Sequence, residues 1–104
     1  MRIEKYEARL TCDGLDPMRA AEEHVRRVAV EPLLTSWLGP YWSVRDLRRV
    51  VLRRHDGGHC RGLGVAACVD AELDGVPLVR SQADVIDVWN AVKSLRLQVT
   101  VAWR

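Results

Sequence analysis

The chain has 104 residues, of which 48% are hydrophobic, and its formal net charge is only +2. That length is typical of one domain, so residues 1–104 are taken as a single unit. An apolar half mixed with charges of both signs excludes a disordered chain, and no apolar run approaches the roughly 20 residues that span a bilayer. The opening stretch Met1–Lys5 lacks a hydrophobic signal segment, which predicts a cytoplasmic protein without a membrane partner.

Three cysteines are present: Cys12, Cys60 and Cys68. An odd number without a CxxC spacing predicts neither a disulfide framework nor a structural zinc site. No phosphate-binding, dinucleotide-binding or metalloprotease motif occurs either. The sequence therefore predicts no cofactor and no bound metal.

Residues 2–12 alternate between apolar and polar side chains, which predicts a half-buried strand. Asp16-Pro17 then predicts a helix start, since Asp is a good N-cap and Pro is tolerated at the first helical position. Pro32 cannot donate a helical hydrogen bond, so this helix should end near Val30. A second short helix should run from Pro32 to Leu38.

Residues 43–54 favour two structures at once. Ser43-Val44-Arg45-Asp46 resembles a helical capping box, whereas alternation and the pair Val50-Val51 favour a strand. We expect a strand over at least Arg48 to Arg54, with a short helical turn possible before it.

Two apolar runs flank the polar break His55–Cys60, which contains Gly57-Gly58. Glycine accepts the positive φ of a tight reversal, so an antiparallel hairpin is predicted, with its second strand over Leu63 to Leu73. Asp74-Gly75 predicts another hairpin turn.

After that turn, Pro77 predicts that a short strand from Val76 to Arg80 lies at a sheet edge. A capping-box pattern at Ser81–Asp84 and an apolar stripe at helical spacing then predict a helix ending near Leu95. The stripe consists of Val85, Val88, Trp89 and Val92. Alternation from Leu97 to Trp103 predicts a final strand.

These elements follow a βαββαβ order. The predicted fold class is a ferredoxin-like α+β two-layer sandwich, with an extra short helix after the first helix and a short edge strand before the second.

The break between the central strands supplies the candidates for chemistry: His55, His59 and Cys60. Two histidines across a turn could serve acid–base catalysis near neutral pH, which gives an enzyme as the alternative function. An HxxxH spacing can also bind metal, but no third ligand is evident in the sequence.

Two further groups are candidate contacts. Tyr41, Trp42, Arg53 and Arg54 are candidate ligand-binding residues, because paired aromatics in a connector and a basic cluster can both contact a ligand. The cluster from Arg45 to Arg61 holds six arginines against two aspartates, and it gives an arginine-patch binder of nucleic acid as another alternative.

The run from Arg61 to Cys68 resembles the strand-three signature of the RNA recognition motif in its Arg-Gly-x-Gly start. The positions that should carry stacking aromatics hold Leu63, Val65 and Cys68. Bases would then have no stacking platform, which argues against nucleic acid as the partner.

Val99, Val101 and Trp103 are candidate interface residues, because an apolar last strand on an open sheet face would need covering. The sequence as a whole predicts a small non-catalytic binding module. It would self-associate through its sheet as a homo-oligomer and bind a small molecule or a protein partner.

Overall fold

The computed structural model describes residues 1–14, 16–55 and 67–104. The helices are α1 (Pro17–His24), α2 (Glu31–Leu38) and α3 (Val44–Leu47), with a π-helical segment (Val25–Val30) between α1 and α2. The strands are β1 (Arg2–Asp13), β2 (Val50–His55), β3 (Ala67–Leu73), β4 (Val76–Trp89) and β5 (Val92–Trp103). The chain is therefore an α+β protein, as predicted.

The five strands form one antiparallel sheet in the order β1-β5-β4-β3-β2. Strands β2 to β5 follow each other as a meander, and β1 pairs with β5 at the end of that meander. This is not the ferredoxin-like order, which requires a second helix between the last two strands.

The predicted helix from Ser81 to Leu95 is wrong, because this stretch continues β4, turns, and enters β5. Asn90 and Ala91 make the turn with φ of 48° and 66°. The register shifts between Val85 and Asp87, which places Val85 and Val88 on the same side of the strand. The bulge therefore explains why apolar residues three apart imitated a helical stripe.

The predicted edge position of the strand containing Pro77 is also wrong, since β4 lies between β3 and β5. Pro77 pairs with Glu72 beside a register irregularity, and the β4–β5 register begins only at Val79. Pro77 is thus at a strand end, where its missing N–H costs little.

The helix begins as predicted: the Asp16 carboxylate accepts a hydrogen bond from the Met18 backbone N–H at 3.0 Å. Pro32, however, does not end it. The Glu31 N–H donates to the Arg26 carbonyl, five residues back, so the helix widens into π geometry just before the proline. One long helix, residues 17–38, replaces the two that were predicted, and it ends at Gly39 with φ of 90°.

Residues 43–54 contain both of the structures that the sequence favoured. Ser43 and Asp46 form the reciprocal capping box of α3, and β2 follows directly and pairs with β3. The pairing of these two strands was therefore predicted correctly, but they are not the central pair of the sheet, because β2 is an edge strand. The predicted turn at Gly57-Gly58 lies outside the described residues.

The long helix packs on one face of the sheet, called here the covered face. Its side chains Val25, Leu33 and Leu34 are fully or almost fully buried, as are Leu97 and Val101 opposite them. Apolar residues at every second position of the strands form this core. The other face, called here the open face, carries none of the described helices.

Candidate functional site

The open face is mainly polar, because most of the alternate residues of the same strands are charged, amide or hydroxyl side chains; Ile3, Val51 and Cys68 are among its apolar residues. On β5 these are Arg96, Gln98 and Thr100, whereas Leu97 and Val99 point to the helix. The pleat of the strand sends successive side chains to opposite faces, so one strand supplies both the core and this surface.

A cleft of about 920 Å³ lies on this surface and is called here the open-face cleft. It is lined mainly by open-face side chains: Lys5, Glu7, Cys68, Asp70, Arg80, Gln82, Gln98 and Thr100. Every one of these residues belongs to a strand, so the walls are held by the sheet ladder rather than by a loop. A volume of this size suits a small ligand.

Ion pairs and amide contacts cross the open face. The Arg53 Nε atom lies 3.1 Å from Glu72 Oε2. Arg96 lies between two carboxylates, 3.6 Å from Glu7 and 3.5 Å from Asp84. These contacts satisfy most of the charges that surround the cleft.

In the middle of the cleft, the Gln82 side-chain amide donates to the Gln98 amide oxygen at 3.0 Å. Each amide keeps further donor or acceptor capacity for a ligand. Lys5 and Arg80 are exposed, and neither has an ion pair within the described ranges of the chain.

Of the predicted catalytic residues, only the backbone of His55 is described: it ends β2 and pairs with Cys68. His59 and Cys60 lie outside the described residues, as do Asp56 and Arg61. The acid–base function stays a prediction.

The four predicted ligand-binding residues are not brought together. Tyr41 is 95% exposed, whereas the Trp42 indole N–H donates to the Thr35 hydroxyl at 2.8 Å and so pins the connector to α2. Arg53 lies on the open face, and Arg54 turns to the covered side, where its Nε lies 2.6 Å from Glu22.

The described part of the arginine cluster is largely neutralised. Arg49 binds both Asp46 and Asp74, and Arg53 and Arg54 are paired as above. The Arg49 hydrogen bond holds the pKa of Asp74 below its usual range. The pKa of Asp46 is lowered first by the Ser43 backbone N–H and then by Arg49. Among described arginines of the cluster, Arg45 and Arg48 have no ion pair.

The candidate interface residues lie on the covered face. Val99 is 2% exposed and Val101 is 0% exposed, so both are core residues under the helix. Trp103 packs at the edge of the same core, with the Arg2 guanidinium 5.8 Å from its ring centroid. The argument for self-association through an apolar open face therefore fails, and self-association stays a prediction with no surface assigned to it.

One titratable pair lies beneath the sheet. His24 is 8% exposed on the buried side of the helix, and its Nε2 lies 3.3 Å from the Tyr6 hydroxyl. Burial lowers the pKa of His24, and the positive charge of Arg27 lowers it further. Burial, with a smaller effect from Glu4, raises the pKa of Tyr6. Both groups are therefore held neutral at pH 7.

A second, smaller groove of about 470 Å³ runs between the long helix and β2. Its lining includes Val30, Val44, Leu47 and Leu52, with Arg26 and Glu22 at its rim joined by an ion pair of 3.5 Å. Its lining also includes charged side chains, so it differs from the open-face cleft mainly in having about half the volume.

Within the described ranges, no three His, Cys, Asp or Glu side chains come together as a metal site. None of the described helices combines the length and apolar content needed to cross a membrane.

The sequence reasoning missed the residues at the centre of the cleft: Lys5, Arg80, Gln82, Gln98 and Thr100. The polar half of the alternation in the first and last strands was visible. What was not predicted is that the strand Val76 to Arg80 continues through Gln82 and lies between β3 and β5, because it was placed at a sheet edge and a helix was predicted from Ser81 onward.

No protein-family model, curated protein or solved structure matches this chain.

Proposed function

We propose that this protein is a non-catalytic binding module whose ligand site is the open-face cleft. The observation that supports this most directly is a cleft of about 920 Å³ built entirely on strands and lined by amide, hydroxyl and charged groups. The ladder has already ordered the backbone of these strands, so binding has to order only the side chains that contact the ligand. The ligand is a small polar molecule, or a polar segment of a protein partner.

The two faces of the sheet have different roles. The covered face is closed by the helix and supplies stability, whereas the open face has hydrogen-bonding groups that a ligand can reach. Gln98 is exposed and Gln82 is partly exposed, and both line the cleft from the paired strands β5 and β4.

Amide chemical-shift mapping by NMR with a library of small polar molecules tests the proposal. Shifts caused by a bound compound should cluster on the open-face residues of β1, β4 and β5. Gln98→Trp should abolish them by filling the cleft, and Arg9→Trp, on the same face but outside the cleft, should not. Shifts confined to the groove between the helix and β2, or no binding at all, would count against this function.

A further inference from the structure

Three open-face residues form one row across the sheet: Lys5, Thr100 and Arg80. The register places Lys5 opposite Thr100 on one side and Arg80 opposite Thr100 on the other. Neighbouring strands lie about 4.8 Å apart, so the Cα atoms of the two cations stand about 10 Å apart with the hydroxyl between them. Two long cationic side chains can converge over such a gap.

The two cations differ from the other described charges around the cleft in having no ion pair there. Arg53 is held by Glu72, and Arg96 by Glu7 and Asp84. The Glu7 carboxylate in the cleft thus already has a cation beside it, and Asp70, opposite Arg80, makes an interaction of its own. Lys5 and Arg80 are therefore the groups whose charge is still available to a ligand.

We propose that Lys5, Thr100 and Arg80 bind the anionic group, a carboxylate or a phosphate, of a small molecule in the open-face cleft; this inference rests on the proposed function. A guanidinium donates two parallel hydrogen bonds to such an oxyanion, the ammonium adds a point charge, and the hydroxyl donates one more bond. The neighbouring row, Gln82 and Gln98, contacts the neutral remainder of the ligand.

The specificity follows from the small number of cations. Lys5 and Arg80 are the two cations among the described residues that line the cleft, and they lie in one row, so they can neutralise one anionic group of a ligand but not many. The site therefore selects a molecule with one anionic end and a neutral, hydrogen-bonding body rather than a polyanion.

NMR titration of the whole chain with two separate probes, inorganic phosphate and acetate, tests the inference and distinguishes the two oxyanions. The amide of Thr100 should shift with at least one probe. Arg80→Gln and Lys5→Gln should each weaken binding about tenfold, the loss expected for one charge-assisted contact. Arg80→Lys should retain part of the affinity, because lysine keeps the positive charge but lacks the two parallel N–H donors of the guanidinium.

Arg9→Gln is the matched control, since it removes a positive charge from the same face and strand as Lys5 but outside the cleft. An equal loss in Arg9→Gln would overturn the inference, because it would mean a general charge effect. Equal affinities of the wild type and the Arg80→Gln variant for the probe would also overturn it, provided that the NMR spectra show both proteins to be folded. If neutral library compounds shift the amide signals of the open face while phosphate and acetate do not, the proposed binding function is supported and the anion site is refuted. If no compound shifts these signals, both proposals are refuted.

Discussion

The covered and open faces of the sheet are made by the same strands, yet they follow different physical rules. On β5, Leu97 and Val101 are fully buried under the helix, whereas Gln98 one position away is exposed. The covered face is stabilised by removing apolar area from water, and its residues are replaceable only by others of similar volume. We expect the open face to contribute little to stability, which leaves its side chains free to bind a ligand.

A truncation on the covered face should destabilise the protein more than any other change considered below. Leu97→Ala should lower the free energy of unfolding by about 2–5 kcal/mol, because a fully buried leucine leaves a cavity. Gln98→Ala, the adjacent change on the open face, should cost no more than about 1 kcal/mol. Urea denaturation monitored by circular dichroism measures both. Similar losses for the two variants would mean that the faces are not energetically distinct.

A buried hydroxyl group gives a second test of the energetic difference between the two faces. Ser81 is 7% exposed on the covered face, and its hydroxyl donates to the Val69 carbonyl at 2.6 Å. Ser81→Ala should cost about 0.5–1.5 kcal/mol of unfolding free energy. Ser94→Ala, on the open side of β5, should change stability by less than about 0.5 kcal/mol. No loss in Ser81→Ala under the same urea assay would show that the buried bond makes no net contribution.

The buried His24 predicts that the stability of the covered face depends on pH. Because the folded-state pKa of His24 lies below its usual 6.5, the unfolded chain takes up the proton first as the pH falls. Stability should therefore decrease as the pH is lowered from 7 through 6.5 toward the folded-state pKa.

Thermal unfolding from pH 7 to 5 should show this decrease in wild type and a smaller one in His24→Gln. Asp46 and Asp74 do not interfere, because their pKa values lie below the usual 3.8. Parallel curves for the two proteins would contradict the assignment of the pH dependence to His24.

The smallest expected effect comes from an ion pair of the open face. Arg96 is 43% exposed and lies 3.5 Å from Asp84. Arg96→Gln should cost about 0–1 kcal/mol, less at high salt, because water screens exposed pairs. Unfolding in urea at low and high sodium chloride measures it. A loss above about 2 kcal/mol would show that the open face is structural after all.

Much of the fold could be predicted where one side of a strand is buried. In β1 and the second half of β5, apolar and polar residues alternate because the helix covers only one face of the sheet. A shift of one residue in the strand register would move every side chain to the opposite face, so this pattern is strongly specified. The Asp16-Pro17 start and the Asp74-Gly75 turn were readable because each depends on local backbone chemistry.

The helix predicted for residues 81–95 is wrong for a physical reason. In β4 beyond Asp84, Val85, Ile86, Val88 and Trp89 are all exposed by 38% or more, so neither side of the strand is buried and no clean alternation develops. The ladder with β5 holds this segment as a hairpin, whose two-residue turn Asn90-Ala91 has positive φ at both positions but contains no glycine to indicate it. The cleft was missed as a consequence, since it requires knowing which strands are neighbours.

The pairing of β1 with β5 joins Arg2 to Trp103, which are almost a full chain length apart. Closing so long a loop is entropically costly, whereas the β3–β4 hairpin needs only two turn residues. During synthesis the first strand therefore waits, with its apolar stripe unshielded, until the last one emerges. We expect pulsed hydrogen exchange to find protection in the hairpin before β1, and simultaneous protection would argue for a single concerted collapse.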